Sequence, residues 1–360
     1  MDLVANLELG FAVAFSLKNL AYCFLGVTLG TLIGVLPGIG PVATIAMLLP
    51  ITFNLPPESA LIMLAGIYYG AQYGGSTSAI LVNIPGEASS VVTAMEGYQM
   101  ARQGRAGAAL SIAAIASFFA GCVGTLLIAA FAPPLASLAF KFGPPERCSL
   151  YVLGLVAAVV LAHGSLIKAL AMIVLGLLLG IIGTDVTSGT QRYTFGIANL
   201  SDGISFAIVA MGMFGIAEII RSLEIGTKRE VFTSSLSGLW PTRADLRASW
   251  KAILRGTGLG SLLGILPGGG AVLGSFASYT LEKKLAAPSS NFGKGAIQGV
   301  AGPEAANNAA AQTSFIPMLT LGIPSNPVMA LMVGAMIIQG IQPGPQVMTQ
   351  RPELFWGMIA

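Results

Sequence analysis

The chain has 360 residues, of which 54% are hydrophobic and only 9% are charged, and its mean hydropathy is +0.80. Soluble domains carry roughly 25% charged residues, so this composition excludes an ordinary water-soluble domain and indicates that lipid is much of the solvent. A formal net charge of +3, with no basic stripe of interleaved aromatic residues, argues against nucleic-acid binding. The three cysteines are scattered and lack metal-ligand spacing, so no metal site is predicted.

Long uncharged runs determine the predicted elements. A helix needs about 20 apolar residues to cross the bilayer, so we expect roughly nine to eleven membrane segments. Asp2 and Glu8 stand where a signal peptide would be basic, so the first run is expected to be a retained membrane helix. In chain order, the predicted helices are Phe11–Gly34, Val42–Phe53, Ser59–Tyr73, Ala79–Met95, Ala106–Pro133, Cys148–Ala162, Ser165–Gly183, Gly203–Arg221, Ala252–Leu266, Ala271–Leu285, Gly295–Pro317 and Asn326–Ile341.

The chain is predicted to have four regions. Residues 1–105 form a first repeat half with Gly-Pro and Ser/Thr breaks, and residues 106–221 form intervening transmembrane helices. Residues 222–255 are rich in Arg and Lys and are predicted to be a cytoplasmic loop by the positive-inside rule. Residues 256–360 form a second repeat half, which we expect to be truncated because a new apolar stretch starts near Leu354.

The strongest organisational feature is an internal repeat. The segment Gly26–Gly40 recurs 230 positions later as Gly256–Gly270, with its glycines and its Leu-Pro-Gly core in register. A weaker match places Asn83–Gly86 against Gly322–Ser325, 239 positions later. Paired halves with broken hydrophobic segments are typical of secondary transporters, in which irregular backbone survives only where protein or a water-filled cavity surrounds it.

Each Leu-Pro-Gly core predicts the tip of a re-entrant hairpin. Proline removes a backbone donor and glycine permits unusual dihedral angles, so the break leaves free N–H and carbonyl groups that suit ions. Packing of small residues between helices is the alternative role of the glycines. The candidate cation or hairpin-tip residues are Pro37, Gly38, Gly40, Pro267, Gly268, Gly270 and Glu304. An intramembrane carboxylate such as Glu304 is a functional candidate, although it could also be an interfacial charge at a helix start.

Two polar clusters inside apolar runs are candidates for substrate binding. Hydroxyl and amide groups can donate to a carboxylate, but the hydroxyls could instead bond back to carbonyls of the preceding helical turn. The candidate substrate-binding residues are Ser76, Thr77, Ser78, Asn83, Asn307, Asn308, Thr313, Ser314, Ser325 and Asn326.

Enzymatic function is not predicted, and we expect no catalytic residues. The cluster Gly74–Ser78 is not a nucleophile elbow, and neither glycine-rich break has the third glycine of a dinucleotide site or the lysine of a P-loop. The residues alone favour a secondary transporter of a small organic anion. An ion channel and a non-transporting membrane scaffold remain the alternatives.

Four motifs resemble those of a known family. Gly34–Pro41, Tyr73–Gly86, Gly264–Gly270 and Gly302–Asn308 are similar to segments of the large membrane subunit of the tripartite tricarboxylate transporters, the TctA family. The resemblance covers essentially the whole chain. It implies a symporter coupled to sodium or protons, with no other cofactor, in a bacterial inner membrane. It also implies three partners: a small membrane subunit, a periplasmic solute-binding protein and a small carboxylate such as citrate.

The expected fold is therefore an all-α polytopic membrane protein with two repeat halves, which we expect to be inverted, and with broken helices and re-entrant hairpins. The substrate is expected between the Ser76–Asn83 break and the Asn307–Asn326 region. No Arg or Lys stands inside the apolar runs, so hydroxyls, amides, helix N-termini and a co-bound cation would have to meet the anion charge.

Overall fold

The fold is described from a computed structural model of the chain. The structure describes residues 3–36, 39–141, 143–161, 165–185, 189–204, 208–209, 211–217, 220, 224, 238–266, 270–286 and 291–360. Within these ranges the secondary structure is almost wholly helical, and one short antiparallel pair joins β1 (Gly183–Thr184) to β2 (Gln191–Arg192). The expected all-α fold class is confirmed.

The first region folds into five helices. They are α1 (Leu3–Ala14), α2 (Leu17–Gly34), α3 (Pro41–Leu48), α4 (Pro57–Val82) and α5 (Val91–Arg102), with 3₁₀ turns at Leu49–Thr52 and Ala88–Ser90. Proline stands at the first helical position of α3 and of α4, where its missing N–H costs nothing. Helix α2 starts at Ser16, whose side chain accepts from the Asn19 N–H.

The middle of the chain is the most apolar part. It contains α6 (Ala106–Ala139), α7 (Pro144–Leu161) and α8 (Leu166–Gly180), then a 3₁₀ turn at Ala198–Leu200 and a π-helical turn at Met211–Ile216. Helix α8 has no buried residue, and Ile167 on it is 78% exposed. An apolar helix that buries nothing needs a non-aqueous surrounding, so its surface suits lipid. The predicted helix Gly203–Arg221 lies partly outside the described residues.

Seven helices follow in the last region. They are α9 (Arg243–Gly264), α10 (Gly270–Leu285), α11 (Gln298–Thr313), α12 (Phe315–Leu321), α13 (Pro327–Ile338), α14 (Gln346–Gln350) and α15 (Pro352–Ile359). Helix α9 begins well before the predicted Ala252, because Thr242 and Asp245 form a capping box at its start. The end of the predicted basic loop is therefore helical.

Two of the described helices are each long and apolar enough to cross a membrane by themselves. They are Leu17–Gly34, with mean hydropathy 1.3, and Ala106–Ala139, with mean hydropathy 2.2. Four shorter helices are also apolar, including Pro327–Ile338. The larger number of membrane segments expected from the sequence stays a prediction.

Helix α2 packs along α4 through glycine. A Cβ built on any of three α2 glycines would collide with an α4 carbonyl, and three α4 glycines meet α2 carbonyls in the same way. The pairs on the α2 side are Gly26 with Met63, Gly30 with Ile67 and Gly34 with Ala71. Because the residue numbers rise together, the two helices are parallel and their backbones touch, as small-xxx-small spacing allows.

Helix α9 packs along α11 in the same manner. The pairs are Gly256 with Gly302, Gly260 with Ala306 and Gly264 with Ala310. These helices are also parallel. The glycines lie 230 positions after those of α2, and their contacts lie 239 positions after those on α4, which are the two offsets of the sequence repeat.

Helices α4 and α11 run in opposite directions. Ser76 of α4 meets Glu304 of α11, and one turn further along α4, Ile80 contacts Gly97 of α5. This part of α5 packs on the beginning of α11, around Gly299. Helices α4 and α11 are therefore antiparallel. Since α2 is parallel to α4 and α9 is parallel to α11, the α2–α4 pair and the α9–α11 pair run in opposite directions.

Candidate functional site

The site is built around the carboxyl group of Glu304. This residue is 1% exposed and lies in the second turn of α11. Ser76 Oγ on α4 and Thr93 Oγ1 on α5 donate to Glu304 Oε1 at 2.8 and 2.5 Å, and Ser117 Oγ on α6 lies 3.4 Å from Oε2. Four helices thus converge on one buried carboxyl, and no Arg or Lys in the described part of the chain forms an ion pair with it.

Two amide side chains extend this cluster along the interface between α11 and α6. Asn308 Nδ2 donates to Ser117 Oγ at 2.7 Å and also lies 2.6 Å from Asn307 Oδ1. One turn later Gln312 Nε2 donates to Thr125 Oγ1 at 2.7 Å. Polar pairs of this kind hold helices together in lipid, and here they form one row on α11.

A cavity of about 800 Å³ opens beside that row. Apolar residues of α2, α4 and α6 form most of its wall, and its polar groups include Tyr69, Tyr73, Ser117, Asn308 and Gln312. No Arg, Lys, Asp or Glu lines it. The Tyr69 hydroxyl is buried and has no hydrogen-bond partner among the described residues. A ligand in this cavity would therefore meet neutral donors.

A second group of buried polar atoms lies close to the carboxyl along α4. Gln72 is 1% exposed and stands one turn before Ser76, on the same face of the helix. Neither its amide nitrogen nor its amide oxygen finds a partner in the part of the chain that the structure describes. Buried amides are normally satisfied, so these atoms indicate room for a polar guest such as water or an ion.

The predicted break at the hydroxyl cluster is wrong. Helix α4 runs without interruption through Ser76, Thr77 and Ser78. Thr77 bonds to the Tyr73 carbonyl at 3.0 Å and Ser78 to the Gly75 carbonyl at 2.9 Å, so these two hydroxyls serve their own helix. Only Ser76 of the three turns toward Glu304.

Two predicted residues of the second half behave like Thr77 and Ser78. Thr313 Oγ1 donates to the Ala309 carbonyl at 3.0 Å, and Ser314 Oγ to the Ala311 carbonyl at 2.6 Å. Both side chains are buried. Each hydroxyl therefore donates its hydrogen to a backbone carbonyl of the preceding helical turn. Among the described residues, neither hydroxyl bonds to the Glu304 cluster.

The true breaks follow α4 and α12, and they are alike. Asn83 and Gly322 end the helices in the left-handed region, with φ of 55° and 71°. Four residues later Glu87 and Asn326 adopt extended dihedrals and start the next helical segment as N-caps. The Asn326 side chain accepts from the Met329 N–H at 2.9 Å.

The segment that follows each helix folds back onto it one residue before the N-cap. Gly86 N–H donates to the Gly75 carbonyl at 3.3 Å, and Ser325 Oγ lies 3.4 Å from the Ser314 carbonyl. These partners are again 239 positions apart in the two halves. Asn83, Ser325 and Asn326 thus shape the breaks, and no described hydrogen bond joins them to Glu304.

The hairpin tips are described only in part. Pro37, Gly38, Pro267 and Gly268 lie outside the described residues. Gly40 is the buried N-cap of α3, and a Cβ there would lie 3.2 Å from the Gly86 carbonyl oxygen and 3.4 Å from Glu87 Cβ. Gly270 starts α10 against the Cα of Gly264. Of the predicted tip residues, Gly40 thus lies against Gly86 and Gly270 against Gly264, each within its own half.

Sequence reasoning missed Thr93, Ser117, Glu87 and Glu96. Ser117 is one of few hydroxyls in an apolar run, and its spacing of eight residues from Thr125 could have placed both on one helix face. Thr93 and Glu96 share a face of α5, three residues apart, but the predicted helix ended at Met95. Glu87 accepts from Ser89 next to the first tip.

Glu96 forms a separate structural clamp. Its carboxylate is fully buried and accepts from the backbone N–H groups of Gly293, Gly295 and Ala296 at 2.5, 2.8 and 2.9 Å. Tyr279 Oη donates to it at 2.8 Å. The loop that leads into α11 is therefore fixed by α5, the same helix that presents Thr93 to Glu304.

A family model and two proteins of Agrobacterium vitis match this chain. The family model described as "Tripartite tricarboxylate transporter TctA family" matches residues 20–360. A protein of Agrobacterium vitis, described as an uncharacterized 52.8 kDa protein in the TAR-I ttuC' 3' region, is 63% identical over all 360 residues, which are 72% of its own length. An uncharacterized protein in the TAR-II ttuC' 3' region of the same organism is 72% identical over 101 residues, covering 28% of this chain and 42% of that protein. No solved structure matches the chain.

Proposed function

Because the chain belongs to the tripartite tricarboxylate transporter TctA family, we propose that it is the large transmembrane subunit of a cation-coupled secondary transporter. Its substrate is a small carboxylate such as citrate, which a periplasmic solute-binding protein delivers. A small membrane subunit completes the system, and the chain crosses the bacterial inner membrane several times.

The Glu304 cluster is the observation that carries the coupling proposal. A carboxyl without a basic partner is expensive to bury in ionised form, so a proton or a metal cation must accompany its charge. The hydroxyl oxygens of Ser76, Thr93 and Ser117 supply hard oxygen ligands around it. Sodium and a proton both fit this chemistry, and each would bind where four helices meet.

The cavity beside the cluster is the proposed substrate site. Its volume of about 800 Å³ is ample for a small carboxylate. The Tyr69 hydroxyl and the second N–H of the Gln312 amide, which bonds Thr125 with one hydrogen, offer neutral donors. Since its lining holds no basic residue, the cation at Glu304 would offset part of the substrate charge. Binding of cation and anion would then be mutually favourable, which is the thermodynamic basis of symport.

We further propose that the halves form an inverted repeat with two re-entrant hairpins. Supporting this, the α2–α4 and α9–α11 pairs share their glycine contacts and point in opposite directions. The two breaks after α4 and α12 share their dihedral pattern as well. Alternating access would move one bundle against the other around a central site, as in other transporters with inverted repeats.

Solute uptake in proteoliposomes tests the proposal. Full-length protein is reconstituted with its small membrane subunit, and binding protein loaded with radiolabelled citrate or another carboxylate is added outside under an inward sodium gradient, a proton gradient or neither. Glu304→Gln is expected to abolish the gradient dependence, while Glu353→Gln, at an exposed position, leaves it intact. Gradient-dependent uptake at the wild-type level by a well-folded Glu304→Gln protein would refute the coupling role.

A further inference from the structure

A second pocket lies apart from the proposed transport site, at the end of the molecule where α5 ends, α9 begins and α10 ends. It has a volume of about 470 Å³. Three basic residues line it, Arg105, Lys251 and Arg255, together with the carboxylate of Glu282. The cavity beside Glu304 has no charged lining, so the two pockets differ in chemistry.

The two arginines are held in place by acidic partners and, as far as the described residues go, keep other N–H donors free. Arg105 Nη2 lies 2.5 Å from Asp245 Oδ1, and Arg255 Nε and Nη2 lie 2.7 and 2.5 Å from the two oxygens of Glu282. Their side chains remain 42% and 35% exposed. A guanidinium has five N–H donors, so each arginine can bind a further anion while its ion pair persists.

Asp245 is a firm anchor for this arrangement. Burial opposes its ionisation, but hydrogen bonds from Thr242 and Arg105 outweigh that effect and hold its pKa below the ordinary value. Asp245 therefore stays charged near neutral pH, and the position of Arg105 is fixed at the pocket wall.

Lys251 supplies the unbalanced charge. It is exposed and has no ion pair among the described residues, whereas each arginine is matched by one carboxylate. Among the described lining residues, three basic side chains face one carboxylate, that of Glu282. The carboxylates of Asp245 and of the buried Glu96, which accepts from the lining Gly295 and Ala296 N–H groups, are not part of the lining. Asn291 and Gln298 add amide donors at its edge, and Leu285 adds an exposed apolar surface.

We propose that this pocket binds a phosphate group. Guanidinium forks and a free ammonium match the geometry and charge of phosphate oxygens, and basic pockets between membrane helices bind lipid headgroups by the same chemistry. The phosphate can come from inorganic phosphate in solution or from the headgroup of an anionic phospholipid, whose acyl chains would lie along Leu285. This site goes beyond the proposed transport function and does not depend on it.

The test compares two lysine variants of equal charge change. Lys251→Glu reverses the unpaired charge in the pocket, and Lys283→Glu is the control, because Lys283 is exposed at the same end of the molecule but outside the lining. Purified full-length protein in detergent is titrated with inorganic phosphate by calorimetry. Native mass spectrometry measures retention of phosphatidylglycerol against phosphatidylcholine.

Wild-type protein is expected to bind at least one of the two anionic probes. Loss of a charge-assisted contact predicts that Lys251→Glu weakens binding about tenfold or more, while Lys283→Glu changes it less than about twofold. Binding of phosphate alone identifies a soluble ligand, and binding of phosphatidylglycerol alone identifies a headgroup. Failure of both probes, or equal effects of the two variants, would overturn the proposal.

Discussion

Replacing Ser76 by alanine separates a ligating hydroxyl from a structural one. Ser76 and Ser78 are serines of the same helix, 1% and 3% exposed. Ser76 Oγ donates to Glu304 Oε1 at 2.8 Å, whereas Ser78 Oγ donates to the Gly75 carbonyl one turn back. The substitutions Ser76→Ala and Ser78→Ala therefore remove the same atoms from similar surroundings but different partners.

The size of the effect follows from the partner. A hydrogen bond to a charged group contributes about 1.5–3 kcal/mol, and about 1.4 kcal/mol corresponds to tenfold in an equilibrium constant. Ser76→Ala should therefore change the half-saturating concentration of the coupling cation by about ten- to a hundredfold. The concentration should rise for sodium, which loses one oxygen ligand, and fall for a proton, because the ionised carboxylate loses a hydrogen bond that stabilised it. Ser78→Ala loses only a local bond in a helix whose ladder is complete, so its value should change by less than about threefold.

The assay is initial uptake in proteoliposomes at graded concentrations of sodium, or at graded pH where protons drive transport. Thermal unfolding followed by size-exclusion fluorescence checks that both variants are equally folded. Equal cation dependence of the two variants would refute the assignment of Ser76 to the Glu304 cluster, even if both were fully active.

Two further predictions concern the architecture of the second half. Gly260→Val should abolish recovery of monodisperse protein, because a side chain at this position meets the Ala306 backbone. Gly258→Val is the control and should be recovered normally, because no atom lies within 4 Å of a Cβ built there. Equal recovery of the two variants would contradict the close packing of α9 on α11. Arg255→Gln leaves Glu282, whose side chain is 2% exposed, without its partner and should lower the unfolding temperature markedly. The double variant Arg255→Gln with Glu282→Gln should recover most of that loss. If the two substitutions instead lower the unfolding temperature additively, the ion pair is not the cause.

The repeat offsets and the placement of Glu304 in an apolar region could be read from short stretches of sequence. A cation-binding role of Glu304 stays a prediction. The glycine spacing of Gly26 and Gly256 is visible in a linear comparison, and the helix pairs reproduce its offsets. Glu304 stands out because a carboxylate next to a long apolar run is rare. The amide Asn308, one turn later, was predicted from the same stretch. It donates to the Glu304 backbone carbonyl and to Ser117, whose hydroxyl lies 3.4 Å from the carboxyl.

The partners of Glu304 could not be predicted in the same way. Thr93 is 211 residues away and Ser117 is 187 residues away, and nothing in a single sequence joins such positions. Their proximity depends on how α5 and α6 cross α11, which is a property of tertiary packing. Hydroxyls that bond within their own helix, such as Thr77, look identical in sequence to those that face a site.

The predicted helix boundaries are wrong where a polar, glycine-containing stretch or a proline was taken as the end of a helix. The polar stretch between Tyr73 and Ala79 was expected to interrupt a helix, but α4 continues through it and Gly74 packs against α2. Pro133 was expected to end a span, yet α6 runs on to Ala139. In lipid a helix tolerates these residues, because neighbouring helices compensate for local losses and water offers no competing partner.

The glycine contacts also determine which parts can slide past one another. Where two backbones touch through Gly30 and Gly260, each interlocked with a carbonyl of the adjoining helix, a shift by one register would drive atoms into each other. Helix α2 must therefore move together with α4, and α9 together with α11, as rigid pairs. Movement of one pair relative to the other would have to break the hydrogen bond from Ser76 of α4 to Glu304 of α11. In the proposed transporter, the ion or proton bound at the Glu304 carboxyl would determine whether this hydrogen bond persists.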